Sequence, residues 1–513
     1  MTRRTALGLA GLVTAAVGAY FPALWSSFVA DDYVLRETVA RVKSVTWPFS
    51  HNHLGLPADS GGFYRPVWVL WNAAIDRAFG GSVTAWHAAS LVLFAVITIE
   101  VWALGRKVVG HRASWLAGFG FALYPRHAES VAWISGNTDL VPAAIGLAAL
   151  LCALARWRLG VRGVVAAALA SVAALAKEVA FVLPFLALLL IWLVPRRPRE
   201  PRWGVPAAML GGQLVVLVAR TAVVGGLGGY HEYPWTPARA GAALASYGLA
   251  ALTPSQLQLG RYPWLLILPV LVFALAVRRV LALRGDGPRV RVITAGLAWF
   301  LLSLLPSLNL VVDLNAANGE RLLFLPSVGL ALIFAVLVAD VARSVLLGSA
   351  ALALFLCLQN SANWIVAGQI ADRVRNEAVA IGPPQGELVV ITVPESYRTA
   401  HVFLVGLDRA VSQRTGGRRR TAWCVPVEVQ TPRAGEVQVS GAGPVFDAST
   451  SWSAPFDFPV FRNPSPLTAD CDYSRVGGRW PPALGTRARA EAHPSEQPVV
   501  YAYFDGHDLV RYP

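Results

Sequence analysis

The chain has 513 residues, 55% of them hydrophobic and only 14% charged, with a mean hydropathy of +0.51. That balance excludes a water-soluble globular protein and indicates a polytopic membrane protein. The formal charge of +14 does not indicate a nucleic-acid partner. The Arg and Lys fall in short clusters between apolar runs, as cytoplasmic loops do.

The chain opens on Thr2-Arg3-Arg4, followed by an uncharged stretch over residues 5–30. The apolar run is too long for a signal-peptide core, and Phe28-Val29-Ala30 makes a poor cleavage site, so it reads as an anchor. Two adjacent carboxylates, Asp31 and Asp32, follow at once. Later basic clusters are Arg106-Lys107 with Arg112; Arg156, Arg158 and Arg162; Arg196, Arg197, Arg199 and Arg202; 278–291; and Arg343. With each cluster placed in the cytoplasm, the expected spans are 5–25, 85–104, 113–125, 140–155, 163–176, 179–195, 204–223, 262–277, 292–312, 322–340 and 344–364. Segment 239–257 is apolar, yet counting it would put 278–291 outside, so it is expected as an interfacial or re-entrant helix. The result is about eleven spans in the cytoplasmic membrane, N-terminus in and C-terminus out.

The opposite face is acid-rich. Asp31, Asp32, Glu129, Asp139, Glu178, Glu232, Asp313 and Glu320 all map to outer loops or outer span ends. The positive-inside rule does not require this, and it suggests an outward-facing site. Adjacent carboxylates raise each other's pKa unless a cation or a proton-transfer role compensates. The arms 163–176 and 179–195, of about 14 and 17 residues, reach only ~21–26 Å across a ~30 Å core. Their apex, Lys177-Glu178, is therefore expected below the outer surface, in a recessed and water-filled cavity.

From about Ala371 the hydrophobic runs shorten to strand length: 388–393, 402–405, 425–429 and 437–440. A small β-rich outer domain is predicted over 371–513, after a membrane domain over 1–365. Arg414 to Arg420 reads as a basic turn. Cys152 and Cys357 lie within spans and pack there. Cys424 and Cys471 lie in the outer domain, where a disulfide is allowed. There is no metal-binding motif and no repeat at a solenoid period.

Four blocks stand out on the outer side. They are Phe63-Tyr64-Arg65-Pro66-Val67; the 124–140 block, YPRHAESVAWISGNTDL; Ala176-Lys177-Glu178; and the 319–329 block, GERLLFLPSVG. Together with Asp31-Asp32 and in this order they resemble the membrane-embedded GT-C glycosyltransferases. The resemblance is closest to the core of the transmembrane and tetratricopeptide-repeat containing O-mannosyltransferases and their bacterial relatives, and it covers roughly 1–365. It implies a GT-C-like polytopic helical fold and an inverting transfer of a sugar, with mannose a candidate. The donor would be a polyprenyl-phosphate sugar in the membrane lipid, and the acceptor a protein or glycan on the outer face.

The chemistry suits these residues. An acceptor hydroxyl needs a base as it attacks the anomeric carbon, and the resemblance puts Asp31 or Asp32 in that role. Glu129 is either a second active-site acid or a partner holding Arg65 or His127. The leaving lipid phosphate needs cations: Arg321, then Lys177 and Arg65. His127, Asp139, Glu178 and Glu320 are expected in support, with Asp139 at a helix start and Glu320 pairing with Arg321. Trp133 is the candidate for sugar stacking. No obligatory cofactor is expected, although Asp31, Asp32 and Glu129 could share a divalent cation. Two features depart from the resemblance: a β-rich tail replaces the tetratricopeptide repeats, and Asn137 stands where Arg is expected. A transporter or lipid flippase would place ionisable groups midway through the membrane and show internal repeats. A non-catalytic scaffold would need no clustered outer carboxylates.

Overall fold

The computed structural model describes residues 2–53, 62–194, 201–226, 229, 233–254, 259, 262–312, 314, 318–417, 419–451, 471–476, 487–494 and 498–513. Glu232, Asp313, Arg196, Arg197, Arg199 and Arg418 lie outside the described residues.

The protein is mostly helical. Among the described residues eight helices are long and apolar enough to cross a membrane: Arg3–Trp25, Val83–Val108, Ser135–Ala153, Leu159–Ala176, Gly204–Val224, Pro263–Ala282, Gly287–Ser307 and Arg343–Ile381. Helices also form at the three remaining expected segments, but shorter: His111–Ala122, Glu178–Leu193 and Pro326–Leu337. The expected short arm at 163–176 is corrected. That helix starts at Leu159, runs 18 residues and takes in Arg162. The compression falls on its partner, where the 3-10 turn Glu178–Val182 leaves only 11 residues of α-helix, Leu183–Leu193. Segment 239–257 overlaps the helix Pro237–Ala251, capped by the Thr236 hydroxyl, which accepts from the Arg239 amide.

Small residues let the helices approach closely. A Cβ on Gly329 would lie 2.4 Å from the Gly296 carbonyl oxygen, and one on Gly296 2.7 Å from that of Gly329. Backbone contact of this kind joins Gly287–Leu304 to Pro326–Leu337, as expected where packing rather than water exclusion drives association. At one end of the bundle Arg279 and Arg289 both bond Asp340, at 2.8 and 2.6 Å. Arg3-Arg4, Arg279, Arg289 and Asp340 all lie at or beside span ends on the side expected to be cytoplasmic.

Starting three residues after Asp340, the helix Arg343–Ile381 runs unbroken for 39 residues. At ~1.5 Å per residue it is ~58 Å long, well beyond a ~30 Å core. It carries the chain straight through 366–370, the expected boundary between the two domains. Two sheets follow. In the first, Glu387–Tyr397 pairs in parallel with Arg420–Val429 and with Val499–Phe504, and antiparallel with Ala400–His401. The second is antiparallel, in the order Val437–Ala442, Val445–Thr450, Arg487–Ala492, Cys471–Val476. Cys424 and Cys471 form a disulfide that joins the sheets.

Two details differ from the strand prediction. The parallel pairing needs a crossover, which the helix Leu407–Thr415 supplies, so Arg414 lies in the last turn of a helix and Arg420 opens a strand. Residues 402–405 are not a strand. The Val402 and Phe403 amides still donate to the Glu395 and Pro394 carbonyls, at 2.8 and 3.0 Å, while the Val402 carbonyl accepts from the Ala30 amide of the membrane domain at 2.8 Å. The C-terminal unit therefore sits at the same end of the helical bundle as Asp31.

Candidate functional site

The two aspartates part company. Asp32 begins the helix Asp32–Arg41 and is 1% exposed. Its Oδ1 accepts from the Ser135 amide at 2.8 Å and the Ser135 hydroxyl at 2.6 Å, and its Oδ2 accepts from the Val29 amide at 3.1 Å. Burial pushes its pKa up to about 7, against the pull of these donors. The Asp31 side chain has no hydrogen-bond or ion-pair partner among the described residues and keeps some exposure. Burial raises its pKa, and Arg321, His401 and Arg65 offset part of the rise through space. Asp31 is thus a carboxylate with spare acceptor capacity in the field of Arg321, His401 and Arg65. Ala30, just before it, sits at φ +44°, a backbone conformation that L residues adopt uncommonly.

Glu129 lies on the short helix Ala128–Ala132 and is fully buried. It does not hold Arg65 or His127. Its Oε1 pairs with the Arg321 guanidinium, and its Oε2 accepts from the Arg321 amide at 2.7 Å. Gly319, at φ +90°, turns the chain so that its amide also donates to Glu129, at 3.3 Å. The His401 Nε2 lies 3.4 Å from the same carboxylate. Burial opposes ionisation of Glu129, but Arg321 and His401 outweigh it, and its pKa is lowered. Trp133 is only 2% exposed. It is not placed to stack on a sugar. Its ring lies under the Arg321 guanidinium at 5.1 Å and beside Trp364 and His401, a cation–π shelf that holds Arg321.

Lys177 and Glu178, adjacent in sequence, turn to different partners. Lys177 Nζ bonds Asp139 Oδ2 at 2.6 Å. Burial lowers the Lys177 pKa to about 8, and Asp139 limits the drop. Asp139 is the residue before the helix Leu140–Ala153, as expected, and also the counter-ion of Lys177. Glu178 is clamped by Arg65 at 2.8 Å and Arg220 at 2.7 Å. His53 is buried near this clamp, and burial, with Arg65, holds its pKa well below the usual range.

Glu320 does not pair with Arg321. It is buried against Arg126, whose Nε donates to the Thr253 carbonyl at 2.6 Å. His127 bonds the Ser327 hydroxyl at 2.8 Å, and burial lowers its pKa to about 3, so it is a neutral scaffold residue. Asn137 accepts from Trp68 Nε1 at 2.5 Å and donates to Asn72 at 3.0 Å. This buried amide network replaces the expected Arg. Gly136, beside it, lies against the Glu129 carbonyl: a Cβ there would come within 2.0 Å of that oxygen.

Sequence reasoning missed Arg126, Arg220, His53, Ser135 and His401. Arg126 and Ser135 sit inside the 124–140 block, where a lone cation and a hydroxyl in an apolar setting were the available signal. Arg220 is the one charge in the span Gly204–Val224. For His401 the sequence holds no such signal, because its partner is 272 residues away.

The proposed cation triad does not fit. Every oxygen of Glu129 and Asp32 is engaged by donors, and among the described residues no group of three His, Cys, Asp or Glu side chains is placed to hold a metal.

No family model matches the chain. Protein O-mannosyl-transferase Tmtc1 of Drosophila melanogaster is 30% identical over 158 residues, 29% of this chain and 18% of that protein. Tmtc2 of the same organism is 33% identical over 150 residues, 27% of this chain and 16% of its own. The chain resembles the O-mannosyl-transferases. It matches less than a fifth of the length of each. Among solved structures, the Archaeoglobus fulgidus oligosaccharyltransferase, complexed with Zn and sulfate, aligns with a TM-score of 0.42 and 12% identity, over 81% of this chain and 62% of its own. ArnT from Cupriavidus metallidurans in the apo state gives 0.40 and 15%, over 82% and 86%. TM-scores of this size do not establish a common fold.

Proposed function

We propose that the protein is a GT-C-type glycosyltransferase of the cytoplasmic membrane. It moves a sugar from a polyprenyl-phosphate donor to a protein or glycan hydroxyl at the outer face, with inversion. The observation that carries this reading is Asp31, a carboxylate with no direct partner among the described residues, set beside Arg321 and Arg65. Asp31 takes the acceptor proton as the acceptor oxygen bonds to the anomeric carbon. The bond from that carbon to the phosphate oxygen breaks on the opposite face, and the electron pair leaves with the lipid phosphate. Arg321, held by Glu129 and Trp133, and then Arg65 and Lys177, stabilise the departing anion. Mannose is the proposed sugar, in keeping with the names of the Drosophila relatives. The Cys424–Cys471 disulfide supports an oxidising compartment for the C-terminal unit, and hence an outward-facing Asp31.

The test is release of polyprenyl phosphate from a panel of polyprenyl-phosphate sugars, with membrane extract as the acceptor source. Wild type is compared with Asp31→Asn, Asp32→Asn and Arg321→Ala. Asp31→Asn should lower turnover by about 10²- to 10⁴-fold in a folded protein. Arg321→Ala should raise the donor KM most. Full turnover in Asp31→Asn would remove the base assignment, and no release from wild type with any donor would remove the activity.

A further inference from the structure

Segment 399–406 bonds the sheet strand Glu387–Tyr397 along one side, through Ala400–His401 and the Val402 and Phe403 amides, and meets the loops of the membrane domain with the other. Thr399 is anchored on the long helix: its hydroxyl donates to Asn360 Oδ1 at 2.7 Å and accepts from Asn363 Nδ2 at 2.9 Å. His401 is then buried edge-on to Trp133 and Trp364, at 4.8 and 5.6 Å between ring centroids. Its Nε2 reaches Glu129, the carboxylate that holds Arg321. One residue on, the Val402 carbonyl accepts from the Ala30 amide. Gly406, at φ +91°, packs on the Ala30 carbonyl so closely that a Cβ would lie 2.5 Å from its oxygen. Ala30 itself is at φ +44°, and such a conformation persists only where the surroundings enforce it. Two separate contacts from one C-terminal segment thus converge on the two halves of the site.

We infer that segment 399–406 is a positioning device for the transfer site, His401 setting the Glu129–Arg321 pair and Val402 with Gly406 setting the backbone that aims Asp31. The inference rests on the glycosyl-transfer reading and deepens it. His401 touches no reacting atom in this arrangement and acts through Glu129. The C-terminal unit is then part of the catalytic centre, not an acceptor-selecting appendage whose loss would spare donor chemistry.

The experiment is a double-mutant cycle on the full chain with His401→Phe and Glu129→Gln, reading kcat and donor KM with polyprenyl-phosphate mannose. Phe keeps the ring between Trp133 and Trp364 and removes only the nitrogens. His401→Phe should lower kcat/KM by about tenfold, as expected for a lost hydrogen bond to a charged group. His401→Gln should restore part of the loss, and the double variant should be no worse than Glu129→Gln alone. Gly406→Ala, which strains its own backbone and presses on the Ala30 carbonyl, should lower kcat with less effect on KM. Wild-type kinetics in both His401→Phe and Gly406→Ala, or multiplicative effects of His401→Phe and Glu129→Gln, would overturn the inference. If wild type turns over no donor, the glycosyl-transfer reading fails separately. The coupling is then read from the melting-temperature shift produced by undecaprenyl phosphate: a smaller shift in His401→Phe supports it, and an equal one overturns it.

Discussion

Two adjacent carboxylates can take different roles only where their surroundings differ. Asp32 is spent on three donors from Ser135 and Val29, while Asp31 keeps its acceptor capacity. The buried Asp32 also makes stability depend on pH with a definite sign. Its pKa rises from an ordinary 3.8 to about 7. Between those values the folded protein keeps a proton that the unfolded chain releases. Its contribution to stability is therefore complete below about 4, falls as pH rises, at most by about 1.4 kcal/mol per unit, and levels off above about 7. Asp32→Asn carries no such term, so thermal melting of wild type minus variant should decline across pH 4–7. A difference that stays constant across that range would show that Asp32 is ionised throughout. The charged blocks themselves were legible in the sequence, since ionisable residues between apolar runs are costly to place. Their pairing was not. Glu320 precedes Arg321 in the chain, yet the turn at Gly319 sends one to Arg126 and the other to Glu129.

At the scale of elements, hydropathy placed a helix at each expected span, because a bilayer forces backbone groups to bond within a segment. Lengths were less secure. The charge of Arg162 marked a span end in the sequence, but it lies within the helix Leu159–Ala176, where a partial hydrogen bond to the Ala155 carbonyl at 3.4 Å serves it. The long helix Arg343–Ile381 was hidden for a related reason: its polar second half reads as a loop after a span. That half supports the site directly. Gly368 packs on the residues leading to Asp31, and a Cβ there would lie 2.6 Å from the Ser27 backbone nitrogen. Backbone cannot give way as a flexible side chain can, so Gly368→Ala should destabilise the protein by about 1–3 kcal/mol. Because the strain falls three residues ahead of Ala30, transfer should drop more than stability explains. Thermal melting beside turnover at a temperature where the variant is folded checks this. Unchanged turnover in a destabilised variant would separate the helix from the aim of Asp31.

At the scale of the molecule, the contacts of Ala30 with Val402 and of Glu129 with His401 fix the C-terminal unit to the end of the bundle that bears Asp31. The basic cluster around Asp340 lies beyond other span ends. Positive charge is retained on the cytoplasmic side, so the Asp31 end and the C-terminal unit should both face outward. Gly285 stands in the exposed turn between two spans of the basic side, and Ala434 stands exposed between strands of the C-terminal unit. Cysteine introduced as Ala434→Cys should react with a membrane-impermeant maleimide in intact cells. Gly285→Cys should react only after the membrane is opened. The native thiols do not confuse the reading: Cys357 is buried, Cys152 lies in a span, and Cys424 and Cys471 are joined. The reverse pattern would place Asp31 on the cytoplasmic side, where a nucleotide sugar would be as available as a lipid-linked one, and the choice of donor would then have to be argued anew.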